Sequence, residues 1–430
     1  MIYLYSMRVE VSPGEALDKL SILDIKLARI RDDEKRAAVQ RELNVLSDAR
    51  IVANGIPLLY TLLVQTNERI WDLTDTVKSL QETDPTYASV ARTIFDENQM
   101  RFRIKSMINA ATTSSLKEQK GYAESVITLI PTTPKQTLSA LWSLALSYDT
   151  VYLSEDVHLL PPAIRPPLVR IGTMGSSILD TDVQIDRIER CLPKPINYAA
   201  GGKLGDFVHQ LSVVYERYLQ TGRRGCLYVG ERNVGGDPFS RGLDATIRDV
   251  SPYLLTLPYI QSIETYTGQP IDINLSQWRY IPNLCSKSWQ QIYGETYGVQ
   301  WGARAWFPQS RSPNPSDIVL VNTSPTRWTD EVKWSVLLAK YPGTPMFLQT
   351  SLSDYQHFCE RTGLRLPIVD GSSFSNIVSA VQSCRIFIGT LSMPLAVADA
   401  LKKDRVAVTQ RGGPDEGIAA RTDPRYVNRT

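Results

Sequence analysis

The first 120 residues of the chain alternate apolar and polar positions with the period of an α-helix. The longest stripe has apolar residues three or four positions apart, with one polar member: Leu59, Leu63, Thr66, Ile70, Leu73, Val77 and Leu80. A stripe of this length has to be buried against another helix. The pattern therefore predicts a helical bundle or coiled-coil domain over residues 1–120.

Local signals divide this region into four predicted helices. The first begins at Ser12-Pro13-Gly14-Glu15, a capping box with proline at the first helical position. Asp32 and Asp33 precede a second helix, and Asn54-Gly55-Ile56-Pro57 precedes the third. A fourth is expected from Tyr87 to Ala111. Its predicted core residues are Ile94, Phe95, Phe102 and Ile108.

From residue 121 onward the helical period gives way to short apolar runs. Residues 121–195 combine β-rich runs, one helix and a proline cluster at Pro161–Pro167, which predicts a small α/β segment and a rigid connector. From Ile196 strands and helices alternate, and a proline-rich linker at Arg304–Pro315 separates residues 196–310 from 311–430. The strands of the second part are continuous apolar runs, so its sheet should be parallel, with helices on both faces.

The stretch Ile196–Leu219 (INYAAGGKLGDFVHQLSVVYERYL) predicts a strand, a glycine-rich turn and an amphipathic helix beginning at Asp206. Glycines in such a turn let the backbone approach a ligand, and the helix N-terminus behind them favours anions. Asp206 has two interpretations at this point. It either complements the helix dipole or acts chemically at the sheet edge where α/β proteins bind ligands.

Composition excludes several classes of function. The chain has 430 residues, 43% of them hydrophobic and 21% charged, with a formal net charge of +2. No dominant basic tract indicates a nucleic-acid partner, and no apolar run approaches the ~18 residues of a membrane span. Five cysteines without CxxC spacing and three scattered histidines encode no zinc site. We therefore expect free thiols and a cytoplasmic protein.

Two blocks of this sequence resemble glycosyltransferase family 9, which contains the heptosyltransferases. KLGDFVHQLSVVYERY is similar to the N-terminal LGD signature of that family, and Phe374–Val408 resembles the helix-strand-turn-helix-strand block that ends its donor domain. The resemblance covers Ile196–Val408. It implies the GT-B fold, in which two Rossmann-like lobes, here an acceptor lobe at 196–310 and a donor lobe at 311–430, face each other across a cleft.

The resemblance also implies roles for particular residues. Asp206 matches the proposed base of the family. His209, one helical turn on, either orients Asp206 or the acceptor or is purely structural. Three residues are assigned to the acceptor-side loop: Gly202, Lys203 and Gly205. Seven are assigned to the nucleotide-sugar donor: Thr323, Ser324, Arg327, Gly389, Thr390, Ser392 and Met393. Arg327 stands where the family has a lysine, and neither a metal nor a cofactor is expected.

At the second donor turn the sequence departs from the family pattern. Family members carry Asp-Thr-Gly followed by a histidine, whereas the aligned residues here are Leu391, Ser392, Met393 and Ala396. The missing aspartate and histidine would contact donor sugar and phosphate. Their absence favours a related branch with a different donor preference over a heptose donor.

The N-terminal stretches SPGEALDKLSILDIKLARI and DENQMRFRIKSMIN resemble a small helical domain of unknown role found in bacterial proteins encoded near glycosyltransferases. This second resemblance supports the helical bundle and supplies no chemistry. The seam-like period favours a structural module for docking or for forming a homo-oligomer.

Three functions remain as hypotheses. The leading one is a metal-independent, inverting glycosyltransferase that moves a sugar from a nucleotide-sugar donor to a surface glycan or polysaccharide. The second is a catalytically degenerate GT-B domain that binds nucleotide sugar or glycan, with the helical region as a scaffold. A nucleotide-sugar epimerase is the weakest, because the sequence offers no convincing pair of histidine and carboxylate for it.

Overall fold

The chain forms two compact units. The first comprises Met1–Lys194 with Gln220–Gly222, and the second comprises Pro195–Leu219 with Arg223–Thr430. The structure is a computed structural model that describes residues 9–116, 124–157, 160, 164–185, 194–308 and 317–409. Parts of the predicted connector at 161–167 and of the predicted linker at 304–315 lie outside these residues, as does Cys191.

The first unit begins with five helices, one more than the periodicity predicts. They are α1 (Pro13–Arg29), α2 (Asp33–Val45), α3 (Ser47–Gly55), α4 (Pro57–Ser79) and α5 (Tyr87–Ala111). The second predicted helix is divided at Leu46, where the backbone leaves the helical region (φ −99°, ψ 18°). The helical N-terminal region is confirmed. No helix among the described residues is long and apolar enough to cross a bilayer.

Helix α1 is fixed at its N-terminus by close packing on α5. The Ser12 side chain accepts a hydrogen bond from the Glu15 amide at 3.3 Å, as a capping residue should. The Glu15 carboxylate binds Lys105 Nζ at 2.6 Å. The Gly14 amide donates to Asn109 Oδ1 at 2.8 Å, and a Cβ on Gly14 would lie 2.7 Å from the Lys105 carbonyl oxygen. Only glycine fits this approach of the two helices.

A buried polar network fixes the register of α1, α4 and α5. Asp18, 4% exposed, accepts hydrogen bonds from Arg101 Nε at 2.8 Å and from Asn67 Nδ2 at 2.9 Å. Asn67 also donates to Ser21 Oγ at 2.7 Å. A buried carboxylate is tolerated when it is paired and hydrogen-bonded in this way, and the pairing is strongly directional.

Phe95 was wrongly predicted as a core residue. Its side chain is 53% exposed and lies under the Arg92 guanidinium, 5.3 Å from the ring centroid. The buried face of α5 is rotated away from it and contains Glu97, Met100, Ile104, Met107 and Ile108. Phe95 is two residues from Glu97, which places it about 200° away around the helix.

A four-stranded parallel sheet completes the first unit. Its strands are β1 (Val126–Ile130), β2 (Thr150–Leu153), β3 (Val169–Ile171) and β4 (Ser176–Leu179), in the order β3-β2-β1-β4, and helix α6 (Pro134–Ala145) connects β1 to β2. The buried Asp180 carboxylate accepts hydrogen bonds from Thr132 and Thr137 hydroxyls, both at 2.6 Å. This sheet and its helix belong to the same compact unit as the N-terminal helices.

The second unit contains two parallel sheets. The first is built from β5 (Ile196–Gly201), β6 (Gly225–Gly230), β7 (Ile260–Thr265) and β8 (Ile273–Asn274), with helices α7 (Leu204–Thr221), α8 (Leu243–Leu254) and α9 (Trp289–Tyr297). Its strand order is β7-β6-β5-β8. β5 lies at the centre, paired with β6 and β8.

The second sheet has five strands in the order β11-β10-β9-β12-β13. They are β9 (Ile318–Asn322), β10 (Thr344–Gln349), β11 (Ile368–Asp370), β12 (Ile386–Thr390) and β13 (Arg405–Val408), with helices α10 (Trp334–Ala339), α11 (Leu352–Thr362), α12 (Phe374–Ser383) and α13 (Met393–Ala400). Every pairing is parallel, as the apolar strands predict. β9 and β12 are neighbours, so the loops after Asn322 and Thr390 leave the sheet side by side.

The packing at Gly14 generates a stability prediction. We expect Gly14→Ala to lower the free energy of unfolding of the helical unit by about 1–3 kcal/mol, the usual cost of overpacking. Gly55 is the matched control, because it also lies in a helix and a Cβ there would meet nothing within 4 Å. Gly55→Ala should be neutral or stabilising by up to about 1 kcal/mol. Urea unfolding followed by circular dichroism measures both, and equal effects would contradict the close approach.

Candidate functional site

A cavity of about 730 Å³ opens in the second unit where loops of its two sheets meet. From the first sheet it is lined by the turn after β5, the loop after β6 and α9. From the second it is lined by the loops after β9 and β10 and the turn after β12. The carboxyl ends of parallel strands are the ligand-binding edge of an α/β sheet. Most sequence-predicted site residues line this cavity: Lys203, Gly205, Asp206, His209, Thr323, Ser324, Arg327, Ser392 and Met393.

Asp206 lies in the first turn of α7, two residues after the helix begins at Leu204. Its Oδ2 accepts a hydrogen bond from a guanidinium nitrogen of Arg279 at 2.7 Å. The Arg279 guanidinium lies over the Trp278 ring, 4.4 Å from the centroid. The carboxylate, which is 27% exposed, thus lies at a helix N-terminus and pairs with a cation that rests on an aromatic face.

Two glycines of the turn before α7 make room for these contacts. Gly202 has φ +104°, and a Cβ there would lie 2.2 Å from the Arg279 NH2 nitrogen. Gly205 faces the backbone of Met393, the first residue of α13, with its Cβ position 3.7 Å from the Met393 Cα. Gly202 therefore admits Arg279 and does not line the cavity, whereas Gly205 brings the two turns together.

Opposing effects act on the Asp206 carboxyl. Burial raises its pKa above the ordinary aspartate value, while the charge and hydrogen bond of Arg279 lower it. Asp237 raises the pKa further and Lys203 lowers it. Burial is the larger effect, so the pKa is raised. A carboxylate with a raised pKa is a better proton acceptor once ionised.

His209 is enclosed by aromatic rings. Its ring centroid is 5.3 Å from those of Trp289 and Trp301, and its Nε2 lies 3.8 Å from Asp399 Oδ2. Burial lowers the pKa of His209 to about 4, with Asp399 opposing the shift. The imidazole is therefore neutral at neutral pH and faces Asp399 of α13, a placement that favours the structural interpretation over the orientation of Asp206.

The loop after β9 and the turn after β12 are tied to each other by hydrogen bonds. The Ser324 amide donates to Thr390 Oγ1 at 2.8 Å, and Ser392 Oγ donates to Asn322 Oδ1 at 3.2 Å. A Cβ on Gly389 would lie 2.5 Å from the Asn322 carbonyl oxygen. Thr390 and Gly389 therefore lie behind the cavity wall and hold its two loops in register.

The wall of the cavity on this side is rich in hydroxyl groups and backbone amides. Thr323 is fully buried, and its Oγ1 has no hydrogen-bond partner among the described residues. Ser392 precedes α13 without capping it by its side chain, so the first turn of this eight-residue helix faces the cavity through Met393. Arg327 lines the cavity from a short 3₁₀ helix, Pro325–Arg327. Hydroxyls, amides and a guanidinium are the groups that bind a diphosphate.

The sequence analysis missed several residues that contribute to the site. Arg241, on the loop after β6, donates to the carbonyl oxygens of Thr350 at 3.1 Å and of Ser372 at 3.3 Å, and so links the two sheets across the cavity. Trp289 lines the cavity at the start of α9. Arg279 contacts Asp206 across 73 residues of sequence. No local pattern marks any of the three, because each contact arises only from the packing of distant loops.

No group of three or more metal-ligating side chains occurs within the described ranges. Four described cysteines are free thiols: Cys226, Cys285, Cys359 and Cys384. Among described residues, the charges that act on the Asp206 carboxyl include those of Arg279, Asp237 and Lys203.

A family model matches the N-terminal part of the chain. A family of unknown function, DUF6165, matches residues 7–141, the region that resembles a helical domain of unknown role. The match extends past the predicted helical domain, through β1 and most of α6. No curated protein matches the chain.

Several solved glycosyltransferases resemble the chain at low identity. The iron-containing dodecameric glycosyltransferase TibC of enterotoxigenic Escherichia coli is 14% identical, with a TM-score of 0.31, over 50% of this chain and 57% of that chain. A family 9 glycosyltransferase of Veillonella parvula is 11% identical, with a TM-score of 0.23, over 69% and 85%. The E. coli heptosyltransferase WaaC is 12% identical, with a TM-score of 0.23, over 67% and 90%.

The chain thus spans little more than half the length of TibC. Each TM-score is below 0.5, so these likenesses carry no argument about the activity of this chain.

The pKa of His209 generates a prediction for the pH dependence of stability. An unfolded histidine has a pKa of about 6.5, and His209 in the folded protein has a pKa of about 4. Between these values the unfolded state binds the extra proton, so the free energy of unfolding falls as pH falls, by up to about 1.4 kcal/mol per pH unit. His209→Gln should reduce this slope between pH 6.5 and 4. Urea unfolding at several pH values measures it, and an unchanged slope would show that His209 is protonated in the folded protein.

Proposed function

We propose that the chain is a metal-independent, inverting glycosyltransferase that transfers a sugar from a nucleotide-sugar donor to a surface glycan or polysaccharide. One observation carries this proposal. Asp206, a carboxylate at the ligand-binding edge of one sheet, opens on the same cavity as the hydroxyl- and amide-rich loops of the other. That pairing brings a proton acceptor and a diphosphate-binding surface to a single site.

The topology of the second unit supports a GT-B arrangement. Numbered from the first strand of each sheet, the strand orders are 3-2-1-4 and 3-2-1-4-5. These are the orders in which doubly wound sheets bind nucleotides, in the crevice beside the first strand. Asp206 follows the first strand of one sheet, and Thr323 and Ser324 follow the first strand of the other. We therefore interpret the two sheets as Rossmann-like acceptor and donor lobes.

The proposed reaction is a single displacement at the anomeric carbon. Asp206 accepts the proton of the acceptor hydroxyl, whose oxygen attacks the anomeric carbon as the bond to the diphosphate oxygen breaks. Inversion follows because attack and departure occur on opposite faces of the sugar. The departing nucleoside diphosphate carries the negative charge, which Arg327, the loop hydroxyls and the α13 amides stabilise.

A glycan acceptor is supported by Trp289. Its indole lines the cavity on the same side as Asp206 and is held by ring contacts with His209 at 5.3 Å and Trp278 at 5.1 Å. A fixed, half-buried aromatic face offers apolar contact to the C–H face of a sugar ring, while nearby polar groups bind its hydroxyls.

A heptose donor is disfavoured by the residues at the second donor turn. Leu391, Ser392, Met393 and Ala396 all line the cavity where the family pattern has an aspartate and a histidine. Of these side chains, only the Ser392 hydroxyl offers a hydrogen bond, and it already donates to Asn322. We propose a donor sugar that needs no charged partner at this turn.

The alternative is a GT-B domain that binds nucleotide sugar or glycan without turnover. The loss of those two polar residues at the donor turn is the observation that favours it. The helical N-terminal region would then serve as a scaffold, whereas in the glycosyltransferase it would act in docking or homo-oligomer formation. Under either proposal the protein acts in the cytoplasm or at the membrane surface where its acceptor is made.

Asp206→Asn tests the base directly. We expect a loss of transfer rate of about 10²–10⁴, the usual contribution of a positioned base, with donor affinity retained. Because the Asp206 pKa is raised, the wild-type rate should fall as pH falls through that pKa. Asp244→Asn is the matched control, an exposed first-turn carboxylate on α8 outside the cavity wall. Nucleoside diphosphate release measures the rate, and near-wild-type turnover by Asp206→Asn would remove Asp206 from the mechanism.

Arg327→Ala tests how the diphosphate is held. We expect donor binding to weaken by about 1.5–3 kcal/mol, the range for hydrogen bonds to charged groups. Arg361, which pairs with Asp330 on the same lobe, provides the control variant Arg361→Ala. Isothermal titration with the nucleotide sugar measures both. EDTA should leave turnover intact, and strict dependence on Mg²⁺ or Mn²⁺ would contradict this assignment.

A further inference from the structure

The contact between Asp206 and Arg279 indicates that the site needs a second residue besides the base. The pair is separated by 2.7 Å, and the side chains are 27% and 17% exposed, so solvent screens their attraction weakly. The Arg279 guanidinium also lies over the face of Trp278, 4.4 Å from the ring centroid. The guanidinium therefore has a fixed position from which it acts on one carboxylate oxygen.

We propose that Arg279 is a positioning residue for Asp206, holding the carboxylate ionised and in one orientation so that it can accept the acceptor proton. Gly202 is part of the same arrangement, because it provides the space that the guanidinium occupies. The inference rests on the proposed function for the identity of the proton that Asp206 accepts. The ion pair itself stands on geometry alone.

The need for a cation follows from burial. A carboxylate in this position loses solvation, which favours its protonated form, and a protonated Asp206 cannot accept a proton. The N-terminus of α7 contributes a favourable dipole. The charged and titratable groups that face Asp206 are Lys203 in the preceding turn, Asp237 on the loop after β6, Tyr293 on α9 and Arg279. Asp237 opposes ionisation, and Arg279 is the largest favourable influence.

The absence of a side chain at Gly202 leaves room for this contact. A Cβ there would lie 2.2 Å from the Arg279 NH2 nitrogen that binds Asp206, and φ is +104°. The second terminal nitrogen of Arg279, NH1, is buried and has no hydrogen-bond partner among the described residues. The guanidinium is thus hydrogen-bonded to the Asp206 carboxylate and is not shared among several carboxylates.

The test measures the titration of Asp206 itself. With ¹³C-aspartate labelling of the full chain, the Asp206 carboxyl signal is assigned by its loss in Asp206→Asn. We expect Arg279→Gln to raise the midpoint of this titration by about 1–3 pH units, the usual influence of an adjacent arginine. Arg279→Lys retains the charge and should restore most of the wild-type midpoint. An unchanged midpoint in Arg279→Gln would overturn the proposal.

Gly202→Ala provides a second variant in which Arg279 is still present. The new methyl group should displace the guanidinium and raise the Asp206 midpoint in the same direction. If Arg279→Gln fails to fold, as judged by circular dichroism, Gly202→Ala and Arg279→Lys decide the question. A wild-type midpoint in Gly202→Ala would then contradict the proposal.

Kinetics distinguish this inference from the proposed function. In the pH profile of transfer, Arg279→Gln should move the acid limb upward with the carboxyl titration and lower kcat more than it raises donor KM. A kcat and acid limb that stay at wild-type values would overturn the positioning role. If the wild-type protein turns over no nucleotide sugar, the proposed function fails while the titration still decides the ion pair.

Discussion

The candidate site depends on keeping one half-buried carboxylate charged. Asp206 is placed at the sheet edge by a glycine-rich turn and the first turn of α7, where solvent is partly excluded. Burial and ionisation oppose each other there. The ionised form of Asp206 is favoured by the dipole of α7 and by the charge of Arg279. Arg279 is in turn held over the face of Trp278. The conformation of Gly202 follows from the same requirement.

The second sheet contributes a different kind of surface. Its loops after β9 and β12 are held together through Ser324, Thr390, Asn322 and Ser392, so they present a fixed set of hydroxyls and amides. Such a set binds phosphate oxygens without a metal. In the proposed reaction, Asp206 on one side of the cavity accepts the proton and these groups on the other side bind the diphosphate.

Sequence reasoning succeeded where the signal is local. Helix α5 begins at Tyr87 and ends at Ala111 as predicted, because the helical period is a property of neighbouring residues. It failed where the outcome depends on packing between distant segments. Phe95 fits a helical period. However, the side chains that α5 buries, both polar and apolar, lie on a different face of the helix. Asp206 could be singled out from its turn, whereas Arg279, 73 residues later, carries no pattern that links it to that turn.

We propose that the cavity of the second unit transfers a sugar with inversion at the anomeric carbon. The most direct measurement incubates the full chain with a panel of nucleotide sugars and oligosaccharide acceptors and follows the anomeric proton of the product by ¹H NMR. We expect a product whose anomeric configuration is opposite to that of the donor. A product with retained configuration, or tight binding of a nucleotide sugar without turnover on any acceptor, would contradict it.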